Sequence, residues 1–333
     1  MLSRQLAGLG VAKALLGLTT TRDLLDRLQT DRTLRRICGW ERRDQIPSES
    51  TFSRAFDEFA RDQATGRLQA DLVRRGFDDR IVGHVARDAT DIEARERPPK
   101  NPPDDPGAPP PQPKRRRGRP RKGEEPPPKP KTRLERQLTQ SVAGMLAELP
   151  RHCSVGTKRN SKGHTTSWIG YKLHLDVADS LVLVSAIVTS ASLHDSQVAI
   201  PLTRITAQRV TYLYELMDAA YDANAIIAII ENSRGAGRVP LIDSNPRRSK
   251  QDKAERAAER QRRDHLNLND AKDRRYNERT NAERAIGRLK DEFGGHCVRV
   301  RGPLKVACHL GFGLLALTAD SLIRLRAEQP QIG

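Results

Sequence analysis

Aromatic side chains make up only 4% of this 333-residue chain. That scarcity argues against a platform on which single-stranded bases stack, because such a platform needs successive aromatic faces. Cysteine is scarce as well. Cys38, Cys153, Cys297 and Cys308 lie far apart, with no C-x-x-C pair and no histidine at zinc-finger spacing. Neither a disulfide framework nor a structural zinc is indicated, and a reducing cytoplasm fits. No apolar run long enough to cross a bilayer goes uninterrupted. "PLKVACHLGFGLLALTADSLIRL" comes nearest, but Lys305, His309 and Asp320 break it, which suits a buried core helix. The opening "MLSRQLAGLGVAKALLGLTTT" resembles a weak signal peptide, yet Lys13 interrupts it and no small-residue cleavage site follows. The expectation is a cytoplasmic protein without a membrane partner.

Acidic residues are also in deficit: 59 Lys and Arg stand against 42 Asp and Glu, a net charge of +17. This balance points to a polyanionic partner, most simply the backbone of double-stranded DNA, rather than a small-molecule substrate. The length allows two or so domains whose cores need no staples.

Residues 1–78 read as short helices forming a DNA-binding domain. Thr20 or Thr21 and Asp31 are caps for "TTTRDLLDRLQTDRTLRRICGW", and Pro47-Ser48 starts a helix in which Phe52, Phe56 and Phe59 share one face. A helix-turn-helix-like pair is plausible there. The period then changes in residues 79–96, where a strand over Ile81 to Val85 leads to Asp88, followed by Asp91 and Glu93. Residues 97–131 hold 14 of the 21 prolines and read as an extended or disordered basic insertion. From 132 to 327 come an amphipathic helix over Leu134 to Leu149, two strands joined as a hairpin around Asp179-Ser180, and a helix capped by Asp195. A short strand ending at Asp218, another strand in "GRVPLIDSNPR" and further helices follow. The order predicts an α/β fold, a mixed sheet with flanking helices.

"RRYNERTNAERAIGRLKDEFGG", Arg274 to Gly295, reads as one helix. At 100° per residue, Tyr276, Arg279, Glu283 and Lys290 share a stripe roughly 60° wide, beside an apolar stripe of Ala282, Ile286, Leu289 and Phe293. Asp88 and Asp218 at strand ends, with Glu283 on a helix that must dock on the same sheet, make a hard-oxygen site suited to Mg²⁺. Two such ions about 3.5–4 Å apart can activate a nucleophile and stabilise a leaving oxygen.

In "YNERTNAERAIGRLK", Tyr276, Arg279, Glu283 and Lys290 resemble the YREK signature of bacterial insertion-sequence DDE transposases, the insertion sequence 4-like family. "RDATDIEARERP" is similar to that family's first-carboxylate segment and assigns Asp88 over Asp91. "MDAAYDANAI" is similar to its second and assigns Asp218 over Asp222, although Ala220 stands where the family usually has glycine. The resemblance extends to "TDRTLRRICGWERRDQIPSESTFSRAFDEFA", "HDSQVA", "PLIDSNPR" and the final helix. It implies a ribonuclease-H-like catalytic fold with Asp88, Asp218 and Glu283 as catalytic metal ligands for Mg²⁺ or Mn²⁺. It further implies Tyr276, Arg279 and Lys290 at the DNA backbone, with element ends and target DNA as partners and a homo-oligomer on DNA. Within the insertion, Arg117, Arg119 and Arg121 of "RGRPR" resemble an AT-hook, whose narrow Arg-Gly-Arg core enters the minor groove. The same carboxylates would serve a metal-dependent nuclease without strand transfer. A catalytically inactive DNA-binding descendant is the remaining alternative, and the intact carboxylates argue against it.

Overall fold

The computed structural model describes residues 2–108, 130–159, 163–232, 237–243 and 275–327, with short helical pieces between 254 and 265. Arg117, Arg119 and Arg121 lie outside the described residues. Before the first strand come helices α1 (Leu2–Leu15), α2 (Thr21–Thr30), α3 (Arg32–Ile37), α4 (Glu49–Arg61) and α5 (Ala64–Phe77). Thr20, Asp31 and Ser48 cap α2, α3 and α4, each side-chain oxygen accepting a backbone N–H that the helix leaves without a partner. Leu24, Leu28 and Phe52 then bury against Leu6, Leu9 and Trp40, so the apolar opening of the chain is a core helix of this cluster.

The sheet contains β1 (Ile81–Glu93), β2 (Ser154–Arg159), β3 (Thr165–Ala178), β4 (Leu183–Ser190), β5 (Thr211–Met217) and β6 (Val239–Ile242). β1 runs antiparallel to β3 and parallel to β5, and β6 is parallel to β5. β2 and β4 follow one another along the outer side of β3. The connecting helices are α6 (Arg133–Gln137), α7 (Val142–Ala147), α8 (Ala199–Ala207), α9 (Asn224–Glu231), α10 (Thr280–Asp291) and α11 (Pro303–Ala327). One face of the sheet packs on α10 and α11 through Leu173, Leu175, Ala282, Leu289 and Leu310, while α8 and α9 cover the other through Ile200 and Ile226. By length and composition α11 is apolar enough to span a membrane, yet it is a core helix here, with Phe312 packed at 6.2 Å from Phe56 and 6.3 Å from Phe59.

Several elements depart from their sequence patterns. β1 does not stop near Asp88 but continues to Glu93, because β3 goes on pairing with it after β5 has left. The expected helix over Leu134 to Leu149 is two helices, since Ser141 breaks in as the cap of α7. His194, not Asp195, caps a 3-10 turn over Asp195–Val198 that precedes α8. The insertion is not loose throughout: Asp105 pairs with Arg133, and the buried Gly107 gives its carbonyl to Arg136 at 2.6 Å. β2 has no alternating apolar pattern, which left it unread. It pairs with the arm of β3 beyond Gly170, the residue that faces both Glu93 and Ser154. Gly170 has φ +152°, and a Cβ there would lie 2.1 Å from the Ile92 carbonyl oxygen, so only glycine fits the point where β3 changes partners.

Beneath the sheet lies a buried ionic group. Arg87 meets Asp176 through two bonds of 2.7 and 2.8 Å and Glu215 at 2.6 Å, and it donates to the Ala199 carbonyl at 3.0 Å. Thr206 donates to Asp176 at 2.6 Å and Thr203 to Glu215 at 2.5 Å, and all three charged side chains are sealed from solvent. Removing one partner from such a group leaves charges buried and unpaired. Arg87→Met should therefore lower unfolding stability by about 3–5 kcal/mol in urea titrations. Replacing all three residues together, as Arg87→Met with Asp176→Leu and Glu215→Leu, should recover most of the loss.

Candidate active site

The aspartates come together through strand register. Parallel pairing of β1 with β5 runs as far as Ala86 opposite Leu216, and two residues further each chain presents an aspartate, Asp88 and Asp218. His84, Ala86 and Asp88 alternate onto the face covered by α10, where His84 approaches Asn281 and Ala86 packs with Ala282. Arg87, between them, points to the opposite face. Asp218 ends β5 and caps the 3-10 turn Ala219–Tyr221, accepting from the Ala220 N–H at 3.0 Å. Ala220 is not among the residues with positive φ, so this turn forms without the glycine usual in the resembling family.

Both carboxyls are poorly solvated. Burial raises the Asp88 carboxyl from its ordinary 3.8 to about 6, and the charge of Asp218 adds to the shift, while the Ala89 N–H bond and the cations Arg279 and Lys158 oppose it. Asp218 is raised in the same way, by burial first and then by Asp195, against the Ala220 N–H, Arg279 and Lys158. Two adjacent carboxyls that burial penalises in the ionised form are suited to a hard cation, and oxygen donors match Mg²⁺ or Mn²⁺.

The helix segment is not a single helix. Residues 275–277 are helical, a turn follows at 278–279, and α10 begins at Thr280. Across this join the backbone bonds run from Arg279 N to Tyr276 O and from Ala282 N to Arg279 O, spanning three residues rather than four. The tighter winding belongs to a 3-10 helix and rotates Tyr276 relative to Glu283. Tyr276 packs at the edge of the core and bonds Asp243; burial, followed by Asp243, pushes its phenol up to about 12. Arg279 lies among the carboxylates: it pairs with Glu283 at 3.0 Å, and Asp88 and Asp218 also act on its charge. Glu283 remains half exposed and is paired with Arg279. Lys290 is held by Asp91 at 3.3 Å, so Asp91 rather than Asp88 takes its charge.

The structure thus brings Asp88, Asp218 and Arg279 together, and leaves Glu283 beside them through Arg279. Among the described residues no group of three or more His, Cys, Asp or Glu side chains is arranged to hold a metal. The two aspartates fit a divalent ion, with Glu283 one guanidinium away. Sequence reading missed Lys158 on β2, whose charge reaches both aspartates although it pairs with the distal arm of β3. It also missed Asp195 as a neighbour of Asp218. Asp195 pairs with Lys172 at 2.8 Å and lies 3.8 Å from the fully buried His174, which burial lowers to about 4. Lys172 and His174, two residues apart on β3 and followed by the buried Asp176, were the signal on that strand.

A family model described as Transposase DDE domain matches residues 84–319, and one described as Transposase domain (DUF772) matches residues 3–58. No curated protein and no solved structure matches the chain.

A carboxyl whose folded pKa lies above its unfolded value favours folding while protonated; that contribution is complete below about pH 3.8 and lost as pH rises through about 6. Ionised Asp88 therefore weakens the fold at neutral pH in the absence of metal. Asp88→Asn should raise the melting temperature of metal-free protein at pH 7.5, and the gain should vanish by about pH 4. Equal melting of the two proteins at pH 7.5 would remove the burial argument.

Proposed function

The chain belongs to the transposase DDE-domain family, and on that premise we propose that it is a DNA transposase of the YREK-signature, insertion sequence 4-like group with a ribonuclease-H-like catalytic domain. It binds the ends of its element, cleaves there, and joins the freed 3′ hydroxyl to target DNA. The observation that carries the reading is the side-by-side placement of Asp88 and Asp218 at the end of their shared pairing, with Arg279 against both.

Asp88, Asp218 and Glu283 would hold Mg²⁺ or Mn²⁺. Bound there, the metal supplies activation of the attacking oxygen and stabilisation of the leaving one. The chain's own residues do the rest. The Ala220 N–H fixes the Asp218 carboxylate, and the Ala89 N–H fixes that of Asp88. Arg279 offers a planar fork to the phosphate oxygens and keeps Glu283 within reach of the aspartates. Tyr276 brings a hydroxyl, and Lys158 and Lys290 bring point charges. The net charge of +17 suits duplex DNA as partner. The N-terminal helices, matched by the second transposase model, and the AT-hook-like arginines Arg117, Arg119 and Arg121 would add DNA contacts in a homo-oligomer acting in the cytoplasm.

Asp88→Ala, Asp218→Ala and Glu283→Ala should each lower Mg²⁺-dependent cleavage of end DNA at least about 10³-fold, roughly 4 kcal/mol of barrier, with end binding retained. A Glu283→Ala protein that cleaves like the wild type would remove Glu283 from the site. Cleavage without joined product would favour the nuclease instead. Arg279→Lys keeps the charge but loses the fork, and it should slow single-turnover cleavage about tenfold at saturating protein. Lys290→Ala should do the same if Lys290 leaves Asp91 for phosphate; an unchanged rate would make it a strand anchor only.

A further inference from the structure

A second basic feature lies away from the aspartates, along the outer edge of β4. A groove of about 870 Å³ is bounded by α5, β4, α11 and the ends of α7 and α8. Five arginines line it, Arg61, Arg67, Arg74, Arg151 and Arg209, against one acid, Asp62. None of the five forms an ion pair among the described residues. Two are fixed by main-chain carbonyls: Arg151 donates to Leu146 at 3.1 Å and Arg209 to Val184 at 2.6 Å. Burial, and then the neighbouring charge of Arg74, lowers Arg209 to about 10. Like charges are held close here, and the charge of Asp176 offsets the crowding at Arg209 only in part.

Arg67 and Arg74 are exposed on α5, two turns and about 10 Å apart along one side of the helix. A duplex carries one negative charge per about 1.7 Å, so that distance spans roughly six phosphates. The register fixes where the groove lies relative to the aspartates. Asp88 faces Leu175 on β3, and Leu175 faces Ala186 on β4, a groove residue. Two strand spacings, about 10 Å, therefore separate the β4 edge from the Asp88 backbone.

We infer that the arginine groove on the β4 edge binds the phosphate backbone of duplex DNA at a second place, on the opposite side of β3 from the aspartate site. This rests on the transposase reading for the identity of the polyanion. A solvated surface would scatter its arginines among acids, as the paired Arg75–Asp71 and Arg324–Asp320 do elsewhere. The groove instead concentrates unpaired guanidinium groups from the end of α4, from α5 and from the segments after α7 and α8, and anchors two of them.

Fluorescence anisotropy with a labelled 30-base-pair duplex of arbitrary sequence, repeated between 50 and 200 mM salt, tests the groove in the full-length protein. Arg67→Gln with Arg74→Gln should raise Kd about tenfold and reduce the salt slope by about two, one per lost phosphate contact. Arg75→Gln with Arg324→Gln removes the same charge elsewhere and should leave the slope unchanged. Arg67→Lys with Arg74→Lys should restore most of the binding, which a folding defect would not allow to be mistaken for lost contacts. Equal Kd and slope in the Arg67/Arg74 and Arg75/Arg324 glutamine variants would overturn the groove. So would unchanged duplex binding accompanied by lost binding of a polyglutamate peptide, which would assign the groove to an acidic chain. If the groove fails while Asp88→Ala still abolishes cleavage by a DNA-binding protein, the transposase reading stands. A wild type that neither binds nor cleaves duplex removes both.

Discussion

The Arg87 group is the constraint on which the site depends. Its guanidinium joins β1 to β3 through Asp176, to β5 through Glu215, and to α8 through the Ala199 carbonyl. Asp88 is the next residue along β1 and projects from the other face of the sheet. Burial pushes the Glu215 carboxyl up, against Arg87, with Asp176 adding to the rise, and Tyr212 and Thr203 donate to it. Such a cluster is a poor source of net stability, because apolar residues of like volume would serve about as well. Its value lies in geometry. The acceptors on Arg87 are spread over β3, β5 and α8, so a slip of β1 against β5 would strand a charge, and the alignment of Asp88 with Asp218 is tied to the arrangement that keeps those charges paired.

Legibility in the sequence followed the range of the interactions. The caps Thr20, Asp31 and Ser48 are local devices, and each sits where the pattern put it. The hairpin of β3 and β4 at Asp179-Ser180 and the end of β5 before Asp218 were equally plain, because period-2 runs end at turn residues. The continuation of β1 to Glu93 was not legible, since it depends on β3, which returns some eighty residues later. Nor was β2, a polar strand whose pairing depends on Gly170. The helical stripe of Tyr276, Arg279, Glu283 and Lys290 holds only for a uniform 100° per residue. The 3-10 join before Thr280 breaks that uniformity, and nothing in the residue types of "YNERT" marks where winding tightens.

The candidate site was half legible for a related reason. Residue identity and spacing pointed to the carboxylates, and register places two of them together. What the third does is decided by side chains that compete for it. Arg279 is four residues from Glu283, the separation at which opposite charges on a helix meet, so the local pair forms whenever no stronger partner is present. Lys290 is likewise taken by Asp91. Each of these cations therefore has a carboxylate partner within the chain.

That pairing bears on how a strongly basic protein keeps two carboxylates adjacent. Arg279 and Lys158, from different elements, offset part of the repulsion and desolvation at Asp88 and Asp218, but the Asp88 carboxyl still rises to about 6. More cations in contact would ionise both aspartates comfortably and would also fill the space that a phosphate needs. Fewer would push both carboxyls higher still and weaken them as oxygen donors. The observed balance, one guanidinium in contact with Glu283 and one lysine acting at a distance, leaves both carboxyls raised by burial and only partly offset. A poorly solvated pair of this kind binds a hard cation more tightly than a well-solvated pair would, because the ion relieves a cost that the folded chain already bears.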